Sequence, residues 1–540
     1  MIAAGTATPP STAMKGADRR IGQRKAVLSW GAVATGALLL LALVFVRIMS
    51  YPMRRDEQLY VPPAALLGEH DLYAELFYNH VPVSAWVFRA AHVLLPAEGL
   101  LFHARLATFG AWIAFAGVAA WAVWSLCRSR AAVAFALAAL LANDLLLGVS
   151  GMTATNNFPP LPLIAAGLTL FALGLRDGGP SWRFVLSGFA LALAAATKAS
   201  AIAVVPPLVA ASLVLPHPMG MGPRMRRVIL PFAAGGVAGA LPVLVHLLDD
   251  PQGFLAHVVG YHRTVHVDFW NAADGEEVAF GLIDRARLAV TIWLGGTNLI
   301  ALTVLAALAA LGSHRLRGSG GLIAMLLAAG AAAAFALVPR PAFPQYFVPP
   351  LAALPVVLGL FVAGIGRGWR VAADRVLIAA TVVAVLAGLP RLAQHAANAF
   401  RPDRWQVSRV HADGEALAGL IARSGATGKV ATLLPIYPLE GGLPVYDELA
   451  TGQFAYRVAD DAPADLLRHY STTSPERVEV LLRADPPAAL LLGFEPELEA
   501  PMLRFARENG YVGSDEVRIE DRYGTGTVYL RASDAPSVSD

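Results

Sequence analysis

Residues 184–215 read FVLSGFALALAAATKASAIAVVPPLVAASLVL, an apolar stretch of 32 residues that contains one charged side chain, Lys198. As a single helix this stretch extends about 48 Å, whereas the hydrocarbon core of a bilayer is about 30 Å thick. A single helix would also place Lys198 in the lipid, where an ammonium group is costly. The stretch therefore predicts two short helices that meet at Thr197 and Lys198.

Other apolar stretches on both sides of this one are long enough to cross a bilayer. They cover residues 27–48, 104–126, 131–149, 159–175, 228–248, 288–311, 321–338, 346–365 and 375–390. With the two short helices they predict about eleven transmembrane helices. The composition agrees, because 56% of the 540 residues are hydrophobic and 15% are charged, with a mean hydropathy of +0.55. A soluble domain carries roughly 25% charged residues, so a soluble globule is excluded.

The distribution of positive charge supports this count independently. With a cytoplasmic N-terminus, the segments on the cytoplasmic side together hold 17 Lys and Arg and only three Asp and Glu. These segments are residues 1–26, 127–130, 176–183, 216–227, 312–320 and 366–375. Cytoplasmic loops are enriched in Lys and Arg, so this arrangement is the expected one. If residues 184–215 formed a single span, arginines such as Arg226 and Arg315 would face outward. The first apolar stretch lacks a small-residue cleavage site and is interpreted as a retained helix.

Net charge divides the chain into two parts. Residues 1–390 carry 27 Lys and Arg against 17 Asp and Glu, whereas residues 391–540 carry 15 against 22. The sequence predicts a transmembrane domain over 1–390, with outer loops 49–103 and 249–287, and a soluble α/β domain over 391–540 on the outer side. In the second part, strand-like stretches (429–435, 488–494 and 527–531) alternate with helical ones (414–424 and 501–509).

Composition also excludes some functions. The positive net charge of residues 1–390 comes from arginines in loops that flank the membrane, so no nucleic-acid partner is expected. The chain has one cysteine, Cys127, which excludes an internal disulfide and a metal site with several cysteines.

The first outer loop contains the most informative charged residues, Arg54-Arg55-Asp56-Glu57, directly after the first predicted span. A carboxylate at the membrane surface can serve as a general base towards an acceptor hydroxyl group. Adjacent arginines suit a ligand that carries a phosphate. From spacing alone, the alternative is a solvated run of charges at the membrane interface.

The pattern Asp56-Glu57-x-x-Tyr60 after the first helix resembles the GT-C glycosyltransferases. By pattern the nearest relatives are the protein O-mannosyltransferases and the bacterial lipid A aminoarabinose transferases. Further matching stretches are Asn79-His80-Val81-Pro82, Ala196-Thr197-Lys198-Ala199, Arg340 to Pro350 and, in the C-terminal part, Thr432 to Gly452. The resemblance covers the chain from end to end and implies a GT-C-like fold.

The resemblance also implies roles for individual residues. Asp56 and Glu57 are the expected catalytic pair, with Asp56 as the base in an inverting transfer. The residues expected at the donor phosphate are Lys198, Arg340, Tyr346, His80 and Arg55. Those expected to bind the sugar or the acceptor are Tyr60, Asn79, Asn156, Asn157 and His262. For Lys198 and Arg340 the alternative is that a long basic side chain reaches the interface, and for Tyr346 it is a ring at the headgroups.

A metal ion is not expected as a fixed part of this site. The aminoarabinose transferases have Glu-Lys before the prolines of the first loop, with the glutamate near a metal, whereas this chain has Asn79-His80. His262 and His266 lie four residues apart, which is at most half of a zinc site. An amphipathic surface helix is the preferred interpretation there. No cofactor is assigned, and a divalent cation is left open.

The sequence therefore predicts a multi-pass enzyme of the bacterial inner membrane. It would move a sugar from a polyprenyl-phosphate-type carrier to a lipid, glycan or protein acceptor on the outer face. A transporter is the second hypothesis, although transporters usually show repeats and ionisable residues at the midplane. A non-catalytic membrane scaffold is the third.

Overall fold

The computed structural model describes residues 12–95, 99–176, 179–272, 278–316 and 319–531; for residues 12–29 and 313–316 it describes the backbone. Of the predicted N-terminal cytoplasmic segment, residues 1–11 lie outside the described ranges. The first eleven helices are α1 (Thr12–Ser50), α2 (Arg55–Leu66), α3 (Val83–Leu94), α4 (Leu100–Cys127), α5 (Arg130–Leu141), α6 (Val149–Met152), α7 (Pro160–Leu175), α8 (Trp182–Thr197), α9 (Val205–Val214), α10 (Met221–Arg224) and α11 (Leu230–Asp249).

Eight further helices complete the apolar part of the chain. They are α12 (Pro251–Leu255), α13 (Tyr261–Arg263), α14 (Val265–Ala272), α15 (Leu282–Trp293), α16 (Gly296–Leu316), α17 (Gly320–Phe335), α18 (Leu354–Gly364) and α19 (Arg370–Ala393). The short helices α12 to α14 occupy the predicted second outer loop.

Five helical segments in the described part of the chain are long and apolar enough to cross a membrane. They are Trp30–Ser50, Leu100–Cys127, Met221–Asp249, Pro344–Gly364 and Arg367–Ala393. The pair α15 and α16 adds a sixth if it is one bent span, and six shorter apolar helices have 10–17 residues. The chain is thus mostly helical with several apolar spans, while the count of eleven stays a prediction.

The predicted break at Lys198 is confirmed. Helix α8 ends at Thr197, Lys198 has an extended backbone, and a 3₁₀ helix over Ala199–Val204 leads into α9. The break brings Lys198 to the end of two helices, where its side chain meets polar neighbours.

Two predicted spans differ from the observed helices. The span over 131–149 ends as α5 at Leu141, because Asn143 Oδ1 accepts the backbone N–H groups of Leu145 and Leu146 and turns the chain. The span over 288–311 is bent by 74° between α15 and α16. Gly296 at the bend has φ +50°, a left-handed conformation that interrupts a helix.

The C-terminal part combines helices with a four-stranded sheet. Its helices are α20 (Gln406–Ser424), α21 (Ile436–Glu440), α22 (Gln453–Tyr456), α23 (Ala464–Leu467), α24 (Val478–Ala484) and α25 (Pro496–Glu508). Its strands are β1 (Val430–Ala431), β2 (Ala489–Leu492), β3 (Tyr511–Asp521) and β4 (Gly524–Arg531), in the order β1-β2-β4-β3. Strand β1 pairs with β2 in parallel, and the other two pairings are antiparallel, with Leu490 opposite Tyr529.

This C-terminal part is attached to the apolar helices through a buried carboxylate. Glu440 at the end of α21 accepts the backbone N–H groups of Leu100 and Leu101 at 2.9 and 2.7 Å. These groups open α4 and have no partner within the helix, so an acidic side chain stabilises them. The contact fixes the C-terminal part over the N-terminal end of α4.

Helices α8 and α11 approach each other closely through glycines. A Cβ atom at Gly235 would overlap the carbonyl oxygen of Val185, and one at Gly188 would overlap that of Phe232. A Cβ atom at the neighbouring Gly236 meets nothing within 4 Å. Small residues at such crossings allow backbones to pack, which is how helices associate within lipid.

We expect Gly235→Leu to separate α8 from α11, because the new side chain has no space against the α8 backbone. Overpacking costs about 1–3 kcal/mol, and more where backbone must move. Thermal unfolding of the purified protein in detergent measures the effect, with Gly236→Leu as the matched control. Equal midpoints for the two variants would contradict the assigned crossing.

Candidate active site

A buried ion pair holds the segment after the first helix in place. Arg105 of α4 donates from Nε and Nη2 to Glu57 Oε1 and Oε2 at 2.9 and 2.8 Å, and neither side chain is exposed. The backbone N–H groups of Ala154 and Arg54 also donate to Glu57, at 2.9 and 3.0 Å. The Glu57 carboxylate is therefore fully engaged.

The same arginine also fixes the end of the first helix. Its Nη1 atom donates to the carbonyl oxygens of Ile48 and Tyr51 at 2.9 and 2.6 Å. The first helix, α2, α4 and the chain at Ala154 thus meet around one guanidinium group. Glu57 lies outside the lining of the cavity described below, and its contacts hold the loop in position; its catalytic role stays a prediction.

Asp56, next to Glu57, faces the other way and lines a cavity of about 760 Å³. Its carboxylate forms no hydrogen bond and no ion pair with the described residues. Burial raises the pKa of Asp56, while the nearby positive charges of Arg457, Arg54 and Lys198 oppose this rise. A partly buried, unpaired carboxylate has the properties of a general base.

Lys198 reaches the same cavity from the break between α8 and the following 3₁₀ helix. Its ammonium group donates to Asn157 Oδ1 and lies 5.6 Å from the centre of the Tyr346 ring. The side chain is 8% exposed, so a bound anion would contact it with little competing water.

Another wall of the cavity is made of uncharged rings and amides. The Tyr60 hydroxyl group donates to Asn156 Oδ1 at 3.0 Å, and the Tyr60 ring is stacked on His80 with centres 5.0 Å apart. His80 lies 5.4 Å from the ring of His262, whose Nε2 is 2.8 Å from the carbonyl oxygen of Asn79. Asn79 is buried, and its Oδ1 has no hydrogen-bond partner among the described residues.

Burial disfavours the charged form of the histidines near this wall. Burial lowers the pKa of His80 and His262, and it lowers the pKa of His266 to about 3. Neutral imidazoles both donate and accept hydrogen bonds, as sugar hydroxyl groups require.

These residues do not fit a bound metal ion. Among the described residues, no group of three or more His, Cys, Asp or Glu is arranged to hold one. His262 Nε2 is engaged with a backbone carbonyl, and an amide stands at position 79.

Eleven of the twelve predicted site residues line this one cavity. They are Asp56, Lys198, Arg340, Tyr346, His80, Arg55, Tyr60, Asn79, Asn156, Asn157 and His262. Arg340 is exposed at its edge. Arg55 is partly neutralised, because its Nη2 donates to Glu495 at 2.9 Å and its guanidinium group lies over Tyr523.

The C-terminal part contributes residues to the cavity that the sequence does not predict. Gln453, Phe454, Arg457 and Tyr523 all line the cavity, as does His266 from α14. No local motif marks these positions, because contact with the cavity depends on how the C-terminal part is placed over the helices.

We expect Glu57→Gln to destabilise the protein by about 3–5 kcal/mol, because it leaves the buried guanidinium group of Arg105 without a counter-charge. Thermal unfolding in detergent measures this loss. Glu69→Gln is the control, since Glu69 is an exposed carboxylate of the same loop. A midpoint equal to that of the control would show that the ion pair does not hold the loop.

The chain is similar in structure to ArnT from Cupriavidus metallidurans. The crystal structure of ArnT in the apo state matches with a TM-score of 0.62 at 16% sequence identity, over 93% of this chain and 98% of ArnT. The structure of ArnT bound to undecaprenyl phosphate matches with a TM-score of 0.58 at the same identity and coverage. No family model and no curated protein matches the sequence. At this identity the likeness establishes the fold, and the predicted GT-C-type membrane fold is thereby confirmed.

Proposed function

We propose that this protein is a membrane glycosyltransferase that moves a sugar from a polyprenyl-phosphate carrier to an acceptor. The observation that carries the proposal is the unpaired carboxylate of Asp56 in the same cavity as Lys198. A base and a cation for a leaving phosphate are the two groups that such a transfer needs. The crystal structure of ArnT with undecaprenyl phosphate supports a carrier lipid of this class.

On the donor side, Lys198 is the main phosphate-binding residue. Asn157 holds its ammonium group in place, and the Tyr346 hydroxyl group donates to the same phosphate. Arg340 at the edge of the cavity and neutral His80 complete the set. The positive charges of Lys198 and Arg340 stabilise the phosphate as it leaves, and Tyr346 and His80 contribute hydrogen bonds.

On the acceptor side, Asp56 acts as the general base. It takes the proton of the acceptor hydroxyl group, and the oxygen attacks the anomeric carbon opposite the phosphate. The new carbon–oxygen bond forms as the bond to the phosphate oxygen breaks, and the electron pair leaves with the phosphate. Configuration is therefore inverted. Hydrogen bonds from Tyr60, Asn79, Asn156, Asn157 and His262 orient the sugar and the acceptor.

The proposed topology has eleven spans and a cytoplasmic N-terminus in the bacterial inner membrane. Residues 1–390 form the transmembrane domain, and residues 391–540 form an α/β domain on the outer face. The sheet of the C-terminal part and its contact with the start of α4 support this division. The acceptor, whether lipid, glycan or protein, then meets the donor at the outer interface.

The cavity favours an enzyme over the two alternatives, a membrane scaffold and a transporter. A scaffold without catalytic function has no need of a cavity lined by an unpaired carboxylate and several cations. A transporter requires a route across the membrane, whereas Asp56 and Lys198 lie at helix ends.

We expect Asp56→Asn to lower sugar transfer by about 10²–10⁴-fold, the usual contribution of a general base, without loss of folded protein. Cells that lack the protein are complemented with each variant, and mass spectrometry compares their envelope glycans and glycolipids. Asp71→Asn, an exposed carboxylate of the same loop, is the control. Full transfer by the folded Asp56→Asn protein would refute the assignment.

We expect Lys198→Met to weaken binding of undecaprenyl phosphate by about tenfold or more, since a charge-assisted hydrogen bond contributes about 1.5–3 kcal/mol. Titration of the purified protein with the lipid measures the dissociation constant. Lys429→Met is the control, because Lys429 lies in the C-terminal part and pairs with Asp485. Unchanged affinity in Lys198→Met would place the phosphate elsewhere.

A further inference from the structure

The cavity carries more positive charge than one phosphate group requires. The basic side chains that line it within the described ranges are Arg54, Arg55, Lys198, Arg263, Arg340 and Arg457. Over the same ranges Asp56 is the one acidic side chain in the lining. Because Arg55 is paired with Glu495, the other five cations share the cavity lining with a single carboxylate.

Arg457 is the cation that the C-terminal part brings into the cavity. Its guanidinium group lies 4.1, 5.3 and 5.8 Å from the ring centres of Phe269, Phe454 and Trp270. Guanidinium groups are held over aromatic faces by cation–π attraction. Two of these rings belong to α14, so Arg457 also joins the second outer loop to the C-terminal part.

The backbone at Arg457 is fixed by its buried neighbour. Tyr456 is fully buried in the core of the C-terminal part, and its hydroxyl group donates to the carbonyl oxygen of Leu498 at 3.1 Å. The backbone N–H group of Arg457 donates to the backbone carbonyl oxygen of Gln453 at 2.9 Å and continues the turn of α22. The charge is therefore held at a set position.

The other groups that face Asp56 are already engaged. Arg54 contacts Tyr51, the charge of Glu57 is balanced by Arg105, and Lys198 is bonded to Asn157. Two further neighbours, Tyr60 and Tyr346, are uncharged phenols at neutral pH. A donor phosphate at Lys198 would share its positive charge and add negative charge, both of which oppose an ionised Asp56.

We propose that Arg457 is a positioning residue that keeps Asp56 ionised while the donor phosphate occupies Lys198. This inference rests on the proposed function, and it assigns the C-terminal part a direct contribution to the reaction. The electrostatics agree: after burial, Arg457 has the largest effect on the pKa of Asp56, and that effect lowers it.

The test measures protonation of Asp56 without any substrate. Dicyclohexylcarbodiimide reacts with protonated carboxyl groups, so the labelling of the Asp56 peptide against pH gives a midpoint by mass spectrometry. The full-length protein in detergent is used as wild type, Arg457→Gln and Arg457→Lys. We expect Arg457→Gln to move the midpoint up by about one pH unit, because an opposite charge nearby lowers a carboxyl pKa by about 1–3. Arg457→Lys keeps the charge and stays near the wild-type midpoint.

Arg263→Gln is the matched control, since it removes an exposed cation from the same cavity lining. The proposal is overturned if the midpoint of Arg457→Gln coincides with that of the wild type, or if Arg263→Gln shifts it equally. It is overturned as well if Asp56 is unlabelled at every pH in both proteins. The proposal is supported if Asp56 is labelled in Arg457→Gln but not in the wild type. Failure of the proposed function would appear separately, as absence of sugar transfer by the wild type.

Discussion

The bidentate ion pair between Glu57 and Arg105 is the contact on which the site depends. It joins the end of the first helix, the start of α2, α4 and the chain at Ala154, and both of its side chains are fully buried. A buried pair of this kind is retained when both partners are also fully hydrogen-bonded, as they are here. With Glu57 held inward, the adjacent Asp56 is turned into the cavity and remains unpaired.

Two other constraints complete the cavity around this carboxylate. The break at Lys198 places an ammonium group at the junction of two short helices, where one continuous helix would have passed it through the lipid. The C-terminal part, fixed to α4 by Glu440, brings Arg457 into the lining of the same cavity. The charges of the site thus come from elements that are distant in sequence and meet at the ends of the apolar helices.

The sequence predicts those features of the site that depend on residues close together in the chain. The length of the apolar stretch 184–215 and the single lysine within it predict the break at Lys198. The position of Asp56 directly after the first predicted span identifies it as a candidate site residue. Which of two adjacent carboxylates is buried depends on the packing of α4, so the sequence alone does not distinguish the surroundings of Glu57 from those of Asp56. Arg457 has no local signature, and strand β3 was missed because its side chains are largely exposed and do not alternate. Interactions between distant segments decide these features.

The central claim is that one cavity binds the phosphate of a polyprenyl carrier beside Asp56. A polyprenyl phosphate with a photoreactive group near the phosphate tests it directly, through crosslinking in proteoliposomes and mass spectrometry of the peptides. The account predicts crosslinks within residues 196–202 and 335–346, competition by undecaprenyl phosphate, and weak labelling in Lys198→Met. Crosslinks spread over lipid-facing helices such as α11, without competition, would contradict it.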